Sequence, residues 1–128
     1  MRGVKKDEDV VEFVRTKIVS GMRVGKPVII CCGEEMPDFK EKYALPEKWG
    51  ITWEEVFDWD SFREKENYMK LVKPGENYDR LVNKGKFEMD PEFNITFMAR
   101  YVKEGEFHQL LNCIPKSKDM MKIAITNV

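Results

Sequence analysis

The chain has 128 residues, of which 42% are hydrophobic and 35% charged, and its formal net charge at pH 7 is −1. This length predicts a single domain over residues 1–128 with a core of its own. A near-neutral charge argues against a protein that coats nucleic acid, and no run reaches the roughly 18 apolar residues that span a bilayer. The charged N-terminus lacks the apolar stretch of a signal peptide, which predicts a cytoplasmic or other intracellular location without a membrane partner.

The first predicted element is an amphipathic helix. Asp7 is suited to cap its start, and Val10, Val14 and Ile18 recur at the four-residue spacing of one helix face. Gly21 follows as the expected C-terminal stop. The N-terminal segment is therefore predicted to pack the apolar face of one helix against the rest of the domain.

Residues 28–33, with the sequence VIICCG, are predicted to form a strand. An uninterrupted β-branched and apolar run is typical of a central strand that is buried on both faces. Cys31 and Cys32 would then point to opposite faces, where they cannot bind one metal ion together. With only Cys113 and His108 as further soft ligands, we predict no metal site and no cofactor, and we interpret the cysteines as small hydrophobic residues.

An acidic turn follows this strand and contains Glu34, Glu35 and Asp38, with Lys40 close behind. Ligand sites of α/β proteins often lie at the carboxyl ends of strands, which is the predicted position of the turn. Acids combined with a lysine are also the groups with which some nucleases hold magnesium and orient water. A small carboxylate-based hydrolase or nuclease, with or without a metal ion, is therefore one alternative function, and these four residues are its fallback site.

The middle of the chain is predicted to be helical. Thr52 and Glu55 have the spacing of a capping box, which indicates a helix that begins at Trp53. Residues 60–61 are suited to restart the helix after a break, and residues 78–85 hold a weaker helical pattern that ends at a glycine. These helices are expected to cover one face of a sheet.

Tryptophans and carboxylates are concentrated in this helical region. Tryptophan is enriched at the centres of protein interfaces, and acids beside it suit a basic partner surface. The alternative is that Trp53 and Trp49 are ordinary core residues and that Trp59 is partly exposed. The candidate partner-binding residues are Trp49, Trp53, Glu54, Glu55, Asp58, Trp59 and Asp60.

The last third of the chain changes to a period of two. Apolar residues occupy the odd positions of residues 93–101, which indicates a half-buried antiparallel strand. Two further strands are predicted at 107–114 and 121–126, each after a turn. The complete prediction is an α+β fold with an N-terminal helix, one central buried strand, a helical middle and a C-terminal three-stranded antiparallel meander, with the helices packed on one face of the sheet.

The predicted meander also carries basic side chains on its polar faces. A platform of basic groups with stacking aromatics is one way in which proteins bind single-stranded nucleic acid. A nucleic-acid-binding module is therefore a further alternative, although an ordinary solvated face has the same composition. The basic residues concerned are Arg100, Lys103, His108, Lys116, Lys118 and Lys122.

One short segment resembles a family of inhibitors. Residues 44–58, with the sequence ALPEKWGITWEEVFD, resemble the loop and acidic helix of barstar-type ribonuclease inhibitors. In that family the acidic helix plugs a basic active site, so the resemblance implies that Glu54 and Asp58 are inhibitory acids, with Trp49 and Trp53 beside them. The predicted meander departs from that family, for which a helix and a parallel strand are expected instead.

Residues 36–40, MPDFK, are similar to a loop of sirtuin deacylases. We reject a deacylase because the glycine-rich nucleotide loop, the catalytic histidine and the zinc-binding cysteines of that family are missing from the sequence. We also find no phosphate-binding loop and no nucleophile with its base, and we identify no catalytic residue. The expected function is a non-enzymatic protein-interaction module, an inhibitor or accessory subunit that binds a protein partner through the acidic and aromatic stretch.

Overall fold

The computed structural model describes residues 7–33, 39 and 43–99. In that part of the chain a long helix comes first, and several very short helices separate the two strands of a small sheet, so the fold is α+β. No helix in these ranges is long and apolar enough to cross a membrane. The elements are α1 (Asp7–Val24), β1 (Val28–Gly33), α2 (Trp53–Val56), α3 (Trp59–Phe62), α4 (Lys65–Tyr68) and β2 (Ile95–Ala99), with 3₁₀ turns at Glu47–Trp49, Met69–Leu71 and Pro74–Glu76.

The predicted N-terminal helix is present, and its buried face agrees with the expected one only in part. Ile18 is fully buried as expected, but Val10 and Val14 are only partly buried, whereas Val11 and Met22 are no more than 5% exposed. Residues three and four apart share a helix face, so the stripe through Val11, Ile18 and Met22 is rotated from the predicted one while keeping Ile18 in common. The packing of the rest of the domain selects this rotated stripe.

Helix α1 continues past Gly21, the predicted stop, and ends at Val24. A Cβ atom on Gly21 would come within 2.7 Å of the Val28 side chain and 3.0 Å of the Lys26 carbonyl oxygen, so this glycine permits a close approach between helix and strand. Gly25 has the left-handed φ of 74° that commonly ends a helix, and its N–H donates to the Gly21 carbonyl at 2.8 Å. The two glycines therefore have separate roles in packing and in capping.

The helical middle begins where the sequence predicts. Thr52 Oγ1 accepts a hydrogen bond from the backbone N–H of Glu55 at 3.4 Å, and α2 starts at Trp53. Helix α2 is only four residues long, and α3 follows after Asp58, whose carboxylate accepts from the Ser61 N–H at 3.5 Å. Because a new capping residue follows α2 so soon, the region becomes a series of single helical turns instead of one long helix.

The predicted pairing of the sheet was wrong. The expected antiparallel meander was to begin at residues 93–101, but β2 pairs in parallel with β1, with Val28 opposite Ile95 and Ile30 opposite Phe97. Among the described residues the sheet has these two strands, and the other two predicted strands lie outside that part of the chain. A period of two indicates which face of a strand is buried, but it does not determine the direction or identity of the neighbouring strand.

Strand β1 is not buried on both faces, as the prediction of a central strand required. Val28, Ile30 and Phe97 pack against the core, but Ile29 is 52% exposed and Met98 is 54% exposed on the other face. β-branched residues favour extended backbone even where only one face is covered. The continuous apolar run therefore correctly predicted a strand, but it wrongly predicted a central strand that is buried on both faces.

Residues 78–85, predicted as a weak helix, form a tight loop. Tyr78 and Lys84 make an isolated antiparallel bridge at its base. The Asp79 carboxylate accepts hydrogen bonds from two backbone N–H groups within the loop, each at 2.9 Å. A short acceptor of this kind competes with helix formation by satisfying the same backbone donors locally.

The core lies between α1, the short helices and one face of the sheet. Ring contacts with centroid separations of 4.9 to 5.8 Å link Phe39, Trp53, Phe57 and Phe97 in its centre. The buried hydrophobic residues are Val11, Ile18, Val19, Met22, Phe39, Leu45, Ile51, Trp53, Val56, Phe57, Phe62, Tyr68, Leu71, Phe87 and Phe93. The short helices are thus held by burial of one or two residues each, since a single turn has little stability of its own.

Candidate protein-interaction surface

Trp53, one of the seven candidate residues, is a core residue. It is 2% exposed, its ring stacks on Phe57 with centroids 5.4 Å apart, and its edge-to-face contact with Phe39 has a separation of 5.7 Å. The indole N–H donates to the backbone carbonyl of Tyr43, which satisfies its one polar atom. Trp53 therefore positions α2 and offers no surface to a partner.

Trp49 is half-buried beside a group of charged side chains. Its ring centroid lies 5.8 Å from the Arg15 guanidinium carbon and 5.9 Å from Lys73 Nζ. Both distances are within the range of cation–π attraction. Trp49 therefore already contacts cations of its own chain, so less of its ring is free to bind a protein partner.

The group beside Trp49 is an ion-pair cluster that the sequence analysis missed. Arg15 is 1% exposed, and its two terminal nitrogens donate to the two carboxylate oxygens of Glu76 at 2.6 and 3.0 Å. Arg15 also donates to Glu12 at 3.0 Å and to the Leu71 carbonyl at 2.6 Å, and Lys73 Nζ lies 3.1 Å from Glu12. We call these four charged residues, Glu12, Arg15, Lys73 and Glu76, the arginine cluster.

The electrostatics of the arginine cluster indicate a structural role. Burial works against the charge of Arg15, but the hydrogen bonds to Glu76 and Glu12 outweigh it and raise the Arg15 pKa. The hydrogen bond from Arg15 lowers the pKa of Glu12. Burial works in the opposite direction at Glu76, but the hydrogen bonds from Arg15 and from the Lys73 backbone outweigh it, so the pKa of Glu76 also lies below its ordinary value. Within the described residues no buried side-chain polar atom lacks a hydrogen-bond partner. The buried polar atoms of the cluster are thus satisfied by hydrogen bonds within the protein.

A signal for the cluster was present in the sequence. Val11, Arg15 and Val19 are spaced by four residues, so the arginine stands in the apolar stripe of α1. A charged residue in such a stripe is rarely buried unless it is paired. Its partner could not be located from the sequence, because Glu76 is 61 positions further along the chain.

Trp59 differs from the other two tryptophans because its ring reaches the surface. It is 37% exposed at the start of α3, with one side against Phe93 at a centroid distance of 6.1 Å and with the Arg63 guanidinium 5.8 Å from its ring. Both flanking contacts hold the ring in a defined orientation. An oriented and partly exposed tryptophan has the character of an interface anchor.

The carboxylates near Trp59 divide into one structural residue and three surface residues. Asp58 caps α3, so its charge already serves the N–H groups of that turn. Glu54, Glu55 and Asp60 are exposed and make no ion pair within the described residues. We call Trp59 with Glu54, Glu55 and Asp60 the acidic-aromatic surface.

The fallback site lies outside the described residues. Glu34, Glu35, Asp38 and Lys40 are all in the segments that the structure does not describe, and so are the basic residues of the nucleic-acid alternative. Both alternatives therefore stay predictions. In ranges 7–33 and 43–99 no group of three or more histidine, cysteine, aspartate or glutamate residues could hold a metal ion.

A second feature that the sequence analysis missed is the tip of the loop at residues 78–85. Leu81 is 78% exposed and Val82 is 69% exposed, and they are adjacent. The helical interpretation had placed these apolar residues in a weak helix that ends at Gly85. The available signal was the aspartate at 79 followed by Asn83 and Gly85, since such residues favour turns.

Comparisons with family models, with curated proteins and with solved structures found no match to the chain, so none of them extends the resemblance of residues 44–58 to barstar-type inhibitors.

Proposed function

We propose that the chain is a non-enzymatic protein-interaction module, an inhibitor or accessory subunit, that binds a basic surface of a protein partner through the acidic-aromatic surface. The observation that carries the proposal is the exposure of Trp59 at the start of α3, together with the exposed acids of α2 and α3. An aromatic anchor supplies affinity on burial, and surrounding carboxylates select a partner of opposite charge.

The local charge supports this choice of partner. Residues 47–60 contain five carboxylates and one lysine, although the whole chain is nearly neutral. The exposed acids lie in the first turns of α2 and α3, which fixes their backbone positions. A basic partner surface would meet negative charges whose backbone is already ordered. The entropy cost of binding would therefore be small.

The structure also limits which substitutions test the proposal. Asp58→Ala would remove a helix cap and confuse loss of binding with loss of structure. The informative variants are Trp59→Ala and the triple variant Glu54→Gln, Glu55→Gln, Asp60→Asn, because these side chains are on the surface. A matched control is Glu64→Gln with Glu66→Gln, two exposed acids in and beside α4.

The experiment is affinity capture from an extract of the source organism with the full chain, followed by titration of each purified candidate partner. We expect both informative variants to weaken one partner by about tenfold or more, and the control to bind like the wild type. Binding should also weaken with added salt, because exposed charges are screened. Equal affinity of all variants for every captured partner would refute the proposal.

A further inference from the structure

The loop at residues 78–85 presents the two most exposed large hydrophobic side chains of the described residues. Leu81 and Val82 are 78% and 69% exposed and stand next to each other at the tip. Scattered single hydrophobic residues on a surface are ordinary, but an adjacent pair on a projecting loop is a small continuous apolar patch. Neither residue belongs to the acidic-aromatic surface, so a role for this pair would be additional to the proposed function.

Hydrogen bonds within the loop fix the backbone that carries this pair. The Asp79 carboxylate accepts from the backbone N–H groups of Leu81 and Asn83 and from the Asn83 side-chain amide, each at 2.9 Å. The Asp79 carbonyl accepts from the Val82 N–H at 3.0 Å. The hydrogen bond from the Asn83 side chain, with the backbone bonds, lowers the pKa of Asp79 and keeps it charged.

Val82 has a backbone conformation that its residue type disfavours. Its φ is 63°, and it is the non-glycine residue with positive φ among those described. A β-branched side chain is strained in this region, where glycine and asparagine are the usual occupants. Strained residues persist where the surrounding structure enforces them, and they are concentrated at functional sites.

Two arginines attach the base of the loop to the end of α1. Arg23 donates to the Tyr78 carbonyl at 3.0 Å, and its guanidinium carbon lies 3.9 Å from the centroid of the Tyr78 ring. Arg80 donates to the Val24 carbonyl at 2.8 Å and lies 3.8 Å from an Asp90 carboxylate oxygen. The loop is thus anchored at its base and ordered at its tip before any partner arrives.

The charges that flank the loop indicate what kind of surface would fit it. Asp79 directs its carboxylate into the loop, whereas Lys84 at the base of the loop and Lys86 just beyond it are exposed. The exposed charge that follows the apolar pair in the chain is therefore positive. The complementary surface is an apolar cavity with acidic groups at its rim.

We propose that the loop of residues 78–85 is a docking element that inserts Leu81 and Val82 into an apolar pocket with an acidic rim on a protein partner. A bilayer with anionic headgroups would offer similar chemistry, but it does not recognise backbone shape. The strain at Val82 and the internal hydrogen bonds of Asp79 favour a partner with a shaped cavity.

The first test is photocrosslinking with the full chain, carrying a photoreactive leucine analogue in place of Leu81, in an extract of the source organism. The expected product joins position 81 to a peptide of another protein whose apolar residues are flanked by aspartate or glutamate. Crosslinks to a second copy of this chain, or the absence of any crosslink, would overturn the proposal.

The second test titrates the crosslinked partner, once purified, against Leu81→Ser and Val82→Asn. Each variant should bind about tenfold more weakly or worse. Val82→Asn should melt at the same temperature as the wild type or above it, because asparagine tolerates positive φ. A loss of binding with unchanged or raised stability excludes damage to the fold as its cause.

The controls separate this proposal from the others. Ile29→Thr replaces an exposed β-branched residue on the sheet face and should leave affinity unchanged. A partner that is lost by Trp59→Ala but kept by Leu81→Ser would support the acidic-aromatic surface and refute the loop. Leu81-dependent sedimentation with vesicles of phosphatidylcholine and phosphatidylserine would assign the loop to a membrane and refute a protein pocket.

Discussion

Arg15 and Glu76 form a bidentate ion pair across 61 positions of the sequence, with nitrogen–oxygen distances of 2.6 and 3.0 Å. Glu76 also accepts a hydrogen bond from the Lys73 backbone N–H at 2.9 Å, so the same carboxylate closes the turn at Pro74–Glu76. The pair thereby joins α1 to the segment that leads into the exposed loop. Its planar fork geometry makes it specific for arginine.

Arg15→Met should lower the free energy of unfolding by about 2–3 kcal/mol. Removing one partner of a buried pair typically costs roughly 3–5 kcal/mol, and we expect less here because the Glu12 and Glu76 side chains are 37% and 25% exposed. Chemical denaturation measures the change. Lys17→Met on an exposed position of the same helix should stay within about 0.5 kcal/mol, and an equal loss in both variants would contradict the assignment.

Stability should fall in acid because of the same two glutamates. The folded protein holds the Glu12 and Glu76 pKa values below the ordinary 4.5, so below that pH the unfolded chain binds more protons than the folded one. The stabilisation that the two carboxylates provide is complete above pH 4.5 and is lost as the pH falls through their folded-state pKa values. Denaturation midpoints measured from neutral pH to below pH 4.5 should show this loss of stability.

Glu76→Gln isolates the contribution of one carboxylate. The variant should be less stable than the wild type at neutral pH, and the two curves should converge as the pH drops below 4.5. Glu66→Gln is the matched control, since Glu66 is exposed and makes no ion pair within the described residues. A constant gap between wild type and Glu76→Gln at all pH values would show that the charge is not responsible.

Local signals in the sequence predicted the positions of elements better than their partners. The cap at Thr52 correctly predicted the start of α2 because the hydrogen bond joins residues three positions apart. The strand at 28–33 was likewise recognisable from its β-branched composition. Its pairing with β2 involves residues more than 60 positions away, and nothing in either strand's own sequence determines that pairing.

The same distinction applies to the candidate surface. Three tryptophans in eleven residues indicated recognition, but their burial depends on contacts with distant residues such as Arg15 for Trp49 and Phe93 for Trp59. The exposed pair at Leu81 and Val82 was missed because spacing alone assigns it to a helix, while the Asp79 carboxylate organises a loop instead. Short polar side chains that bond to the backbone override a weak periodic pattern.

Gly21→Ala should destabilise the protein even though alanine is the better helix former. Its Cβ would come within 2.7 Å of Val28 Cγ2, 3.0 Å of the Lys26 carbonyl and 3.1 Å of the Phe93 ring. Overpacking of this kind costs about 1–3 kcal/mol, which exceeds the gain of roughly 1 kcal/mol in helix propensity. Gly75→Ala is the control, because its Cβ would meet nothing within 4 Å, and a stabilised Gly21→Ala would contradict the close approach of α1 to β1.

Trp53→Phe and Trp59→Phe should separate the core tryptophan from the surface one. Trp53→Phe removes a buried indole and its hydrogen bond to the Tyr43 carbonyl, so it should cost about 2 kcal/mol in chemical denaturation. Trp59→Phe should change stability by no more than about 0.5 kcal/mol, because the ring is 37% exposed.

Acrylamide quenching of tryptophan fluorescence checks the same assignment without unfolding the protein. Trp59→Phe should remove most of the readily quenched emission, whereas Trp53→Phe should remove emission that resists quenching, because the quencher reaches only exposed rings. The opposite order in both measurements would place Trp59 in the core. It would also remove the aromatic anchor on which the proposed acidic-aromatic surface depends.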